Sequence, residues 1–170
     1  MGQNSPMPES RKHTEEGREP EAHGDSAETA HATGEATKAP AELDERVLLA
    51  LHAAGEKKAH ALVVLDLREV ASFTDYFVIA SGTNVRQVLA IADEVQELVR
   101  RQLGVKPARV EGYNSAEWVL LDYGDFIFHV FEEKSRRFYD LERLWRDAVR
   151  VPLPPDLAAE ADKGSLRDAG

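Results

Sequence analysis

The most regular pattern of apolar and polar positions lies between residues 117 and 133, where two apolar-rich runs flank Gly124-Asp125. A two-residue loop with glycine at its first position is typical of a type II′ β-hairpin. Side chains alternate between the two faces of a strand. One predicted face therefore carries Val119, Leu121, Tyr123, Phe126, Phe128 and Val130. The other face carries Trp118, Leu120, Asp122, Ile127, His129 and Phe131.

The two faces of this predicted hairpin differ in character. Its register places Trp118 opposite Phe131 and Leu120 opposite His129. The first face is almost entirely apolar, so we expect it to face the core. The second face is apolar but contains a carboxylate and an imidazole. Trp118 and Asp122 are expected to be less covered than their apolar neighbours, because a buried Asp122 would need a partner. The second face is therefore the one on which a functional site is sought.

Patterns elsewhere predict the remaining helices and strands. Apolar residues spaced by three and four predict helices at residues 41–55, 84–103 and 137–150. Asn84 with Gln87 resembles a capping box at the start of the second helix, and Gly104 ends it. Apolar runs predict strands at residues 61–67, 74–80 and 108–111. The last helix is expected to direct inward Phe138, Leu141, Leu144, Trp145 and Ala148. This order predicts a single α/β domain with a mixed five-stranded sheet flanked by helices.

Composition divides the chain into three parts. Residues 1–40 have four basic and eight acidic side chains and no aromatic residue, so we expect a disordered acidic N-terminal extension. All twelve aromatic residues lie between Phe73 and Trp145, which indicates a folded domain at residues 41–150. Residues 151–170 are expected to form a flexible C-terminal tail.

The overall charge restricts the partners that suit the protein. The formal net charge is −10, which disfavours extensive direct nucleic-acid contact and is compatible with a basic protein partner. The absence of cysteine excludes thiolate metal sites and fits a cytoplasmic location. The apolar runs are too short for a membrane span, and the N-terminus lacks the pattern of a secretory signal.

One stretch suggests nucleotide chemistry. Ser81-Gly82-Thr83 precedes a helix and could present backbone N–H groups to a phosphate. Nucleotidyltransferases combine such a turn with two metal-binding carboxylates on a strand. Here the carboxylates at a suitable distance, Asp93 and Glu94, fall on a predicted helix and point into water. A nucleotide-binding enzyme remains the alternative function, without support from a carboxylate pair.

The second face of the hairpin also allows several functions. Asp122 and His129 could form an acid–base pair or bind a metal, but no nucleophile or third ligand accompanies them. A structural role for His129 and a protein-contact role are the alternatives. Trp118 beside Leu120 indicates either packing under the final helix or an exposed aromatic patch of the kind that binds partners. Such a patch could equally serve self-association into a homodimer.

Several stretches, taken together, resemble one known family. They are Thr-Asp-Tyr-Phe-Val-Ile at 74–79, Ser-Gly-Thr at 81–83, Glu-Gly at 111–112, Trp-Val-Leu-Leu-Asp-Tyr-Gly-Asp at 118–125, His-Val-Phe at 129–131 and Arg-Arg-Phe-Tyr-Asp-Leu-Glu-Arg-Leu-Trp at 136–145. In this order and spacing they resemble the ribosomal silencing factor family, also called the Iojap family, over about residues 43–148.

The resemblance implies a function and a site. Members of this family bind the fourteenth protein of the large ribosomal subunit, L-fourteen, and sterically block joining of the small subunit, which lowers translation when nutrients are short. The resemblance implies a nucleotidyltransferase-like fold without catalytic carboxylates, no enzymatic activity and no cofactor or metal. The partner-binding residues that it implies, with Leu120 added from the same face, are Trp118, Leu120, Asp122, His129, Tyr139 and Glu142.

Overall fold

A computed structural model of the protein describes residues 43–158. The predicted extension at residues 1–40 and most of the predicted C-terminal tail lie outside the described residues. The elements in chain order are α1 Glu45–Glu56, β1 His60–Asp66, β2 Tyr76–Gly82, α2 Val85–Leu103, β3 Arg109–Glu111, β4 Trp118–Asp122, β5 Phe126–Glu132, α3 Glu133–Tyr139, α4 Leu141–Leu144 and β6 Val149–Val151. Within the described range, no helix has the length and hydrophobicity that crossing a membrane requires.

The strands form one mixed sheet in the order β3-β4-β5-β2-β1-β6. β2 and β5 run parallel, and the other neighbouring pairs are antiparallel. The α/β fold with a mixed sheet flanked by helices is confirmed, but the sheet has six strands where five were predicted. The additional strand is β6, in which Val151 pairs with Val64 of β1. The packed chain therefore continues past the predicted boundary at residue 150, since Leu157 is also buried.

The predicted hairpin is confirmed in detail. Trp118 pairs with Phe131 and Leu120 with His129, in the expected register. Gly124 has a φ of 90°, the positive value that the first position of a type II′ turn requires. Its N–H donates to Oδ1 of Asp122 at 2.9 Å, and its carbonyl accepts from Oγ1 of Thr74 at 2.9 Å. The turn is thus fixed by side chains on both sides.

Helices α1 and α2 cover the first face of the sheet. As predicted, Asn84 caps α2, accepting from the N–H of Gln87 at 2.9 Å. Oε1 of Gln87 accepts from the N–H of Thr83 at 2.7 Å, a variant of the expected capping box. Gly104 ends α2 with a φ of 68°. The core on this side contains Val119, Leu121, Tyr123, Phe126, Phe128 and Val130, which confirms the core face predicted from the alternation.

The predicted last helix, residues 137–150, is wrong. Asp140 adopts a left-handed conformation with a φ of 51°, which ends α3 and separates it from the single turn of α4. Asp tolerates this conformation better than most residues because its short polar side chain bonds locally. The break turns Phe138 and Leu144 outward, with 78% and 50% of their surfaces exposed, while Leu141 is buried against the sheet. The remaining residues of the predicted helix lead into β6.

α3, α4 and the chain that follows cover the second face of the sheet. A second apolar cluster there includes Trp118, Leu120, Ile127 and Phe131, with Leu141 packed onto them. Trp145 and Ala148 pack against the same cluster. The sheet is therefore covered on both faces.

Candidate functional site

Trp118 and His129 form a buried polar pair on the second face. Nε1 of Trp118 donates a hydrogen bond to Nδ1 of His129 at 3.0 Å. Only 8% of Trp118 and 1% of His129 are exposed. The hairpin creates this contact, because Trp118 lies on β4 two positions from Leu120, the residue that faces His129 across the strands. Since Nδ1 accepts, the imidazole proton of neutral His129 resides on Nε2.

Aromatic rings cover this pair. The ring of Trp118 lies 4.7 Å from that of Phe131 and 4.5 Å from that of Tyr139. On the other side, Phe77 meets His129 edge-on at 4.4 Å. Tyr139 is the outermost of these rings, with 38% of its surface exposed. The expected exposure of Trp118 is therefore wrong, because the end of α3 places Tyr139 over its indole.

The outer surface of α3 and α4 is apolar at several positions. We call Phe138, Tyr139 and Leu144 the α3–α4 surface; all three are exposed. The ring of Phe138 meets that of Tyr139 edge-on at 4.9 Å. Tyr139 thus links this surface to the buried Trp118–His129 pair. An exposed aromatic pair rigidly supported from below is the kind of surface that anchors a protein partner.

Arg136 fastens α3 and α4 to the sheet. Its guanidinium donates to both carboxylate oxygens of Glu142, at 3.2 Å and 2.6 Å. It also donates to Oγ of Ser81 at 2.7 Å and to the carbonyl of Ala61 at 3.0 Å. Burial would raise the pKa of Glu142, but the hydrogen bonds and charge of Arg136 outweigh it and hold that pKa below its ordinary value. Glu142 is therefore committed to an internal ion pair.

A polar pocket of about 310 Å³ opens beside this ion pair. Its lining residues are His60, Ala61, Ser81, Glu133, Arg136, Arg137, Asp140 and Glu142. Nδ1 of His60 lies 3.3 Å from a carboxylate oxygen of Glu133. Among the described residues, no group of three or more His, Asp or Glu side chains is arranged to hold a metal ion.

Asp122 belongs to a different network. Its Oδ1 accepts from the N–H of Gly124, and its Oδ2 lies 3.4 Å from a guanidinium nitrogen of Arg109. Asp122 and Trp118 occupy opposite ends of β4, about 13 Å apart at the rise of an extended strand. Asp122 therefore shapes the hairpin turn and pairs with Arg109.

The structure thus divides the residues predicted as one site. Trp118, Leu120 and His129 lie together under Tyr139, and Leu120 is fully buried. Asp122 and Glu142 lie in separate polar networks. Tyr139 is exposed, whereas the three residues beneath it are buried.

Groups that a phosphate would need at Ser81-Gly82-Thr83 are already engaged. Oγ of Ser81 accepts from Arg136, and the N–H and Oγ of Thr83 both bond Oε1 of Gln87. A Cβ at Gly82 would meet the backbone nitrogen of Val88 at 3.0 Å, so this glycine is explained by helix packing. The exposed Asp93 accepts from the hydroxyl of Tyr113 at 2.7 Å. No observation here favours nucleotide chemistry.

Two residues important to this surface were not found from the sequence. No local pattern indicates the role of Arg136, because its partners Ser81 and Ala61 lie 55 and 75 positions away along the chain. Phe138 was predicted to face inward as part of a continuous helix. The left-handed conformation of Asp140 interrupts that helix. An aspartate at this position is the sequence feature that could have indicated the break.

Known proteins resemble the chain in both sequence and structure. A family model described as "Ribosomal silencing factor during starvation" matches residues 40–169. A ribosomal silencing factor from Halalkalibacterium halodurans is 41% identical over 109 residues, which cover 64% of this chain and 92% of that protein. A crystal structure from Chromobacterium violaceum has a TM-score of 0.59 at 34% identity and covers 66% of this chain and 90% of that one.

A more distant relative comes from mouse. It is named mitochondrial assembly of ribosomal large subunit protein 1, and it is 30% identical over 95 residues. The match covers 53% of this chain and 40% of the mouse protein. The family model covers most of the sequence, the relative from Halalkalibacterium halodurans is matched over 92% of its length, and the fold is shared with the Chromobacterium violaceum structure. The chain therefore belongs to the ribosomal silencing factor family, whose role is to silence translation in association with the ribosome.

Proposed function

We propose that this protein represses translation by binding the large ribosomal subunit through its protein L-fourteen and blocking association with the small subunit. The observation that carries the proposal is the family match over residues 40–169. The protein would act in the cytoplasm, under nutrient limitation, as a regulator without catalytic activity. The name of the mouse relative, which refers to the large ribosomal subunit, agrees with the choice of subunit.

The α3–α4 surface is the proposed contact. Tyr139 and Phe138 offer exposed rings, and aromatic side chains dominate binding hot spots because they bury a large area with few rotatable bonds. Trp118, Leu120 and His129 would contribute by holding Tyr139 in place. Their burial beneath α3 supports this indirect role.

The two carboxylates of the predicted site have different proposed roles. Glu142 would position α4 through its bonds to Arg136, so its contribution to binding is indirect. Asp122 retains a partly exposed carboxylate at the far end of β4 and could meet a basic group at the edge of the interface. Such edge pairs contribute little free energy but favour the correct orientation.

Occupancy alone is a sufficient mechanism for the repression. A domain bound at the face where the subunits meet excludes the partner subunit by steric overlap. No conformational change is needed, and the rigid support of Tyr139 by Trp118 and Phe131 suits a preformed contact. Self-association through the same surface stays a prediction, and it would compete with ribosome binding.

Sedimentation of purified subunits tests the proposal. Large subunits are incubated with the full chain before small subunits are added, and the fraction of joined ribosomes is measured. We expect fewer joined ribosomes and co-sedimentation of the protein with the large subunit. Adding the protein after joining is the control, because a blocker that acts by occupancy should then have less effect. Unchanged joining in the first arm would refute the proposal.

A further inference from the structure

Charge is unevenly distributed over the described part of the chain. Residues 43–132 contain nine basic and fourteen acidic side chains, whereas residues 133–150 contain six basic and four acidic ones. Two of those four carboxylates have cationic or imidazole neighbours: Glu142 is bound by Arg136, and Glu133 lies 3.3 Å from His60. The segment that covers the second face is therefore locally basic in a chain whose net charge is −10.

Four exposed arginines lie on this segment, and we call them the arginine surface: Arg137, Arg143, Arg146 and Arg150. Arg137 lines the pocket next to Glu142. Arg150 pairs across the strands with Leu65, whose side chain belongs to the second cluster. Burial raises the pKa of Glu142, whereas Arg136 and, to a smaller extent, the charge of Arg150 lower it. A guanidinium nitrogen of Arg146 donates to the carbonyl of Arg143 at 3.3 Å. These contacts place Arg137, Arg146 and Arg150 close to α4, and Arg143 lies on that helix.

We propose that the arginine surface contacts the phosphate backbone of ribosomal RNA on the large subunit. This inference rests on the proposed function, because it assumes that the protein sits on that subunit. Guanidinium groups match phosphate oxygens with paired hydrogen bonds, which lysine does not provide.

The same charges argue against a basic protein at this position. Asp140 and Asp147 do not balance the four arginines, so a basic partner would be repelled beside the arginine surface. The protein contact through Tyr139 and an RNA contact through the arginines can coexist at a boundary between ribosomal protein and RNA. Because the chain as a whole is negatively charged, contact with RNA is favoured only where the arginine surface faces the RNA.

A double substitution in the full chain tests the inference. Arg137→Gln with Arg143→Gln removes two positive charges from the arginine surface. The matched control, Arg86→Gln with Lys106→Gln, removes two exposed positive charges in and just after α2, on the other side of the sheet. Binding of each labelled protein to purified large subunits is measured by fluorescence anisotropy at several KCl concentrations, and binding to isolated L-fourteen is measured in parallel.

We expect the double variant to bind large subunits about tenfold more weakly at moderate salt. The slope of log Kd against log salt concentration should be lower by about 1.5, because two phosphate contacts are lost. The control should stay within about twofold of the wild type, and binding to isolated L-fourteen should be unchanged in both. If the double variant does not fold, the single variants Arg137→Gln and Arg143→Gln replace it, with about threefold expected for each.

Three outcomes would overturn the inference. Wild-type affinity and salt slope in the double variant would mean that the arginines touch nothing on the subunit. An equal loss on isolated L-fourteen would mean that they contact protein, including an acidic protein segment. An equal loss in the control would mean a general charge effect. Failure of the wild type to bind large subunits is distinct, because it would instead refute the proposed function.

Discussion

The indole N–H of Trp118 donates to Nδ1 of His129 in the interior of the protein, across 3.0 Å. This single bond explains why an apolar sheet face contains an imidazole, because a buried indole N–H needs an acceptor. The bond fixes the ring on which Tyr139 packs. His129 therefore holds Trp118, and Trp118 supports the exposed Tyr139, so His129 is a positioning residue.

Replacing His129 with Phe should destabilise the protein. The substitution keeps a flat ring but leaves Nε1 of Trp118 buried without its acceptor, which costs about 1–3 kcal/mol. Urea denaturation followed by circular dichroism measures the change in free energy of unfolding. In the His129→Phe background, a further Trp118→Phe change should cost less than it does in the wild type. Strict additivity of the two changes would show that the hydrogen bond contributes nothing.

Replacing Tyr139 with Ala should weaken binding to the large subunit. Loss of a half-exposed aromatic anchor is expected to reduce binding by about 1–3 kcal/mol. Tyr113→Ala is the matched control, since Tyr113 is 37% exposed and Tyr139 38%. Affinity for large subunits is measured by anisotropy, and urea denaturation of both variants separates lost contact from lost stability. Equal affinities of the two variants would contradict a contact through Tyr139.

Features of the fold that arise from neighbouring residues follow from the sequence, whereas features that arise from distant residues do not. The hairpin register followed from alternation and a Gly-Asp turn, which lie within seventeen residues of each other. The sixth strand could not be foreseen, because Val149–Val151 pairs with a strand at the start of the domain and resembles the end of a helix in isolation.

The candidate site was predicted in part for the same reason. Alternation placed Trp118 and His129 on one face, but only the tertiary fold shows that Tyr139 covers them. The separation of Glu142 from Trp118 arises from Arg136, whose bonds to β1 and β2 have no local sequence pattern. Family resemblance named the residues without revealing which of them are buried.

Replacing Glu142 with Gln should lower stability in a pH-dependent way. The pKa of Glu142 is lower in the folded protein than in the unfolded chain, so its ionised form favours folding. That contribution is complete above the ordinary carboxyl pKa of about 4.3 and is lost as pH falls through the lower folded-state value. The wild type should exceed Glu142→Gln by about 1–3 kcal/mol at pH 7, with the difference shrinking by pH 3.

Urea denaturation at several pH values measures this difference. In an Arg136→Met background the effect of Glu142→Gln at pH 7 should largely disappear, because the ion pair is already absent. A difference that grows on acidification would reverse the expected sign and contradict the assignment.

Two glycines with positive φ should respond differently to alanine. Gly104 has a φ of 68° with open space around a new Cβ, so Gly104→Ala should cost about 1 kcal/mol from backbone strain alone. Gly112 has a φ of 81°, and a Cβ there would lie 2.0 Å from the carbonyl oxygen of Trp118. Gly112→Ala should therefore destabilise the protein more and disturb the start of β4. Thermal unfolding compares the two, and similar losses would contradict the steric argument.

The left-handed Asp140 also matters for how this surface can change during evolution. It divides a stretch that reads as one amphipathic helix into an outward-facing end at Phe138 and an inward-facing start at Leu141. Substitutions at Phe138 or Leu144 alter what the protein presents without disturbing the sheet, whereas Leu141 is constrained by packing. A relative could therefore acquire a different partner by exchanging a few outer side chains while keeping the same fold.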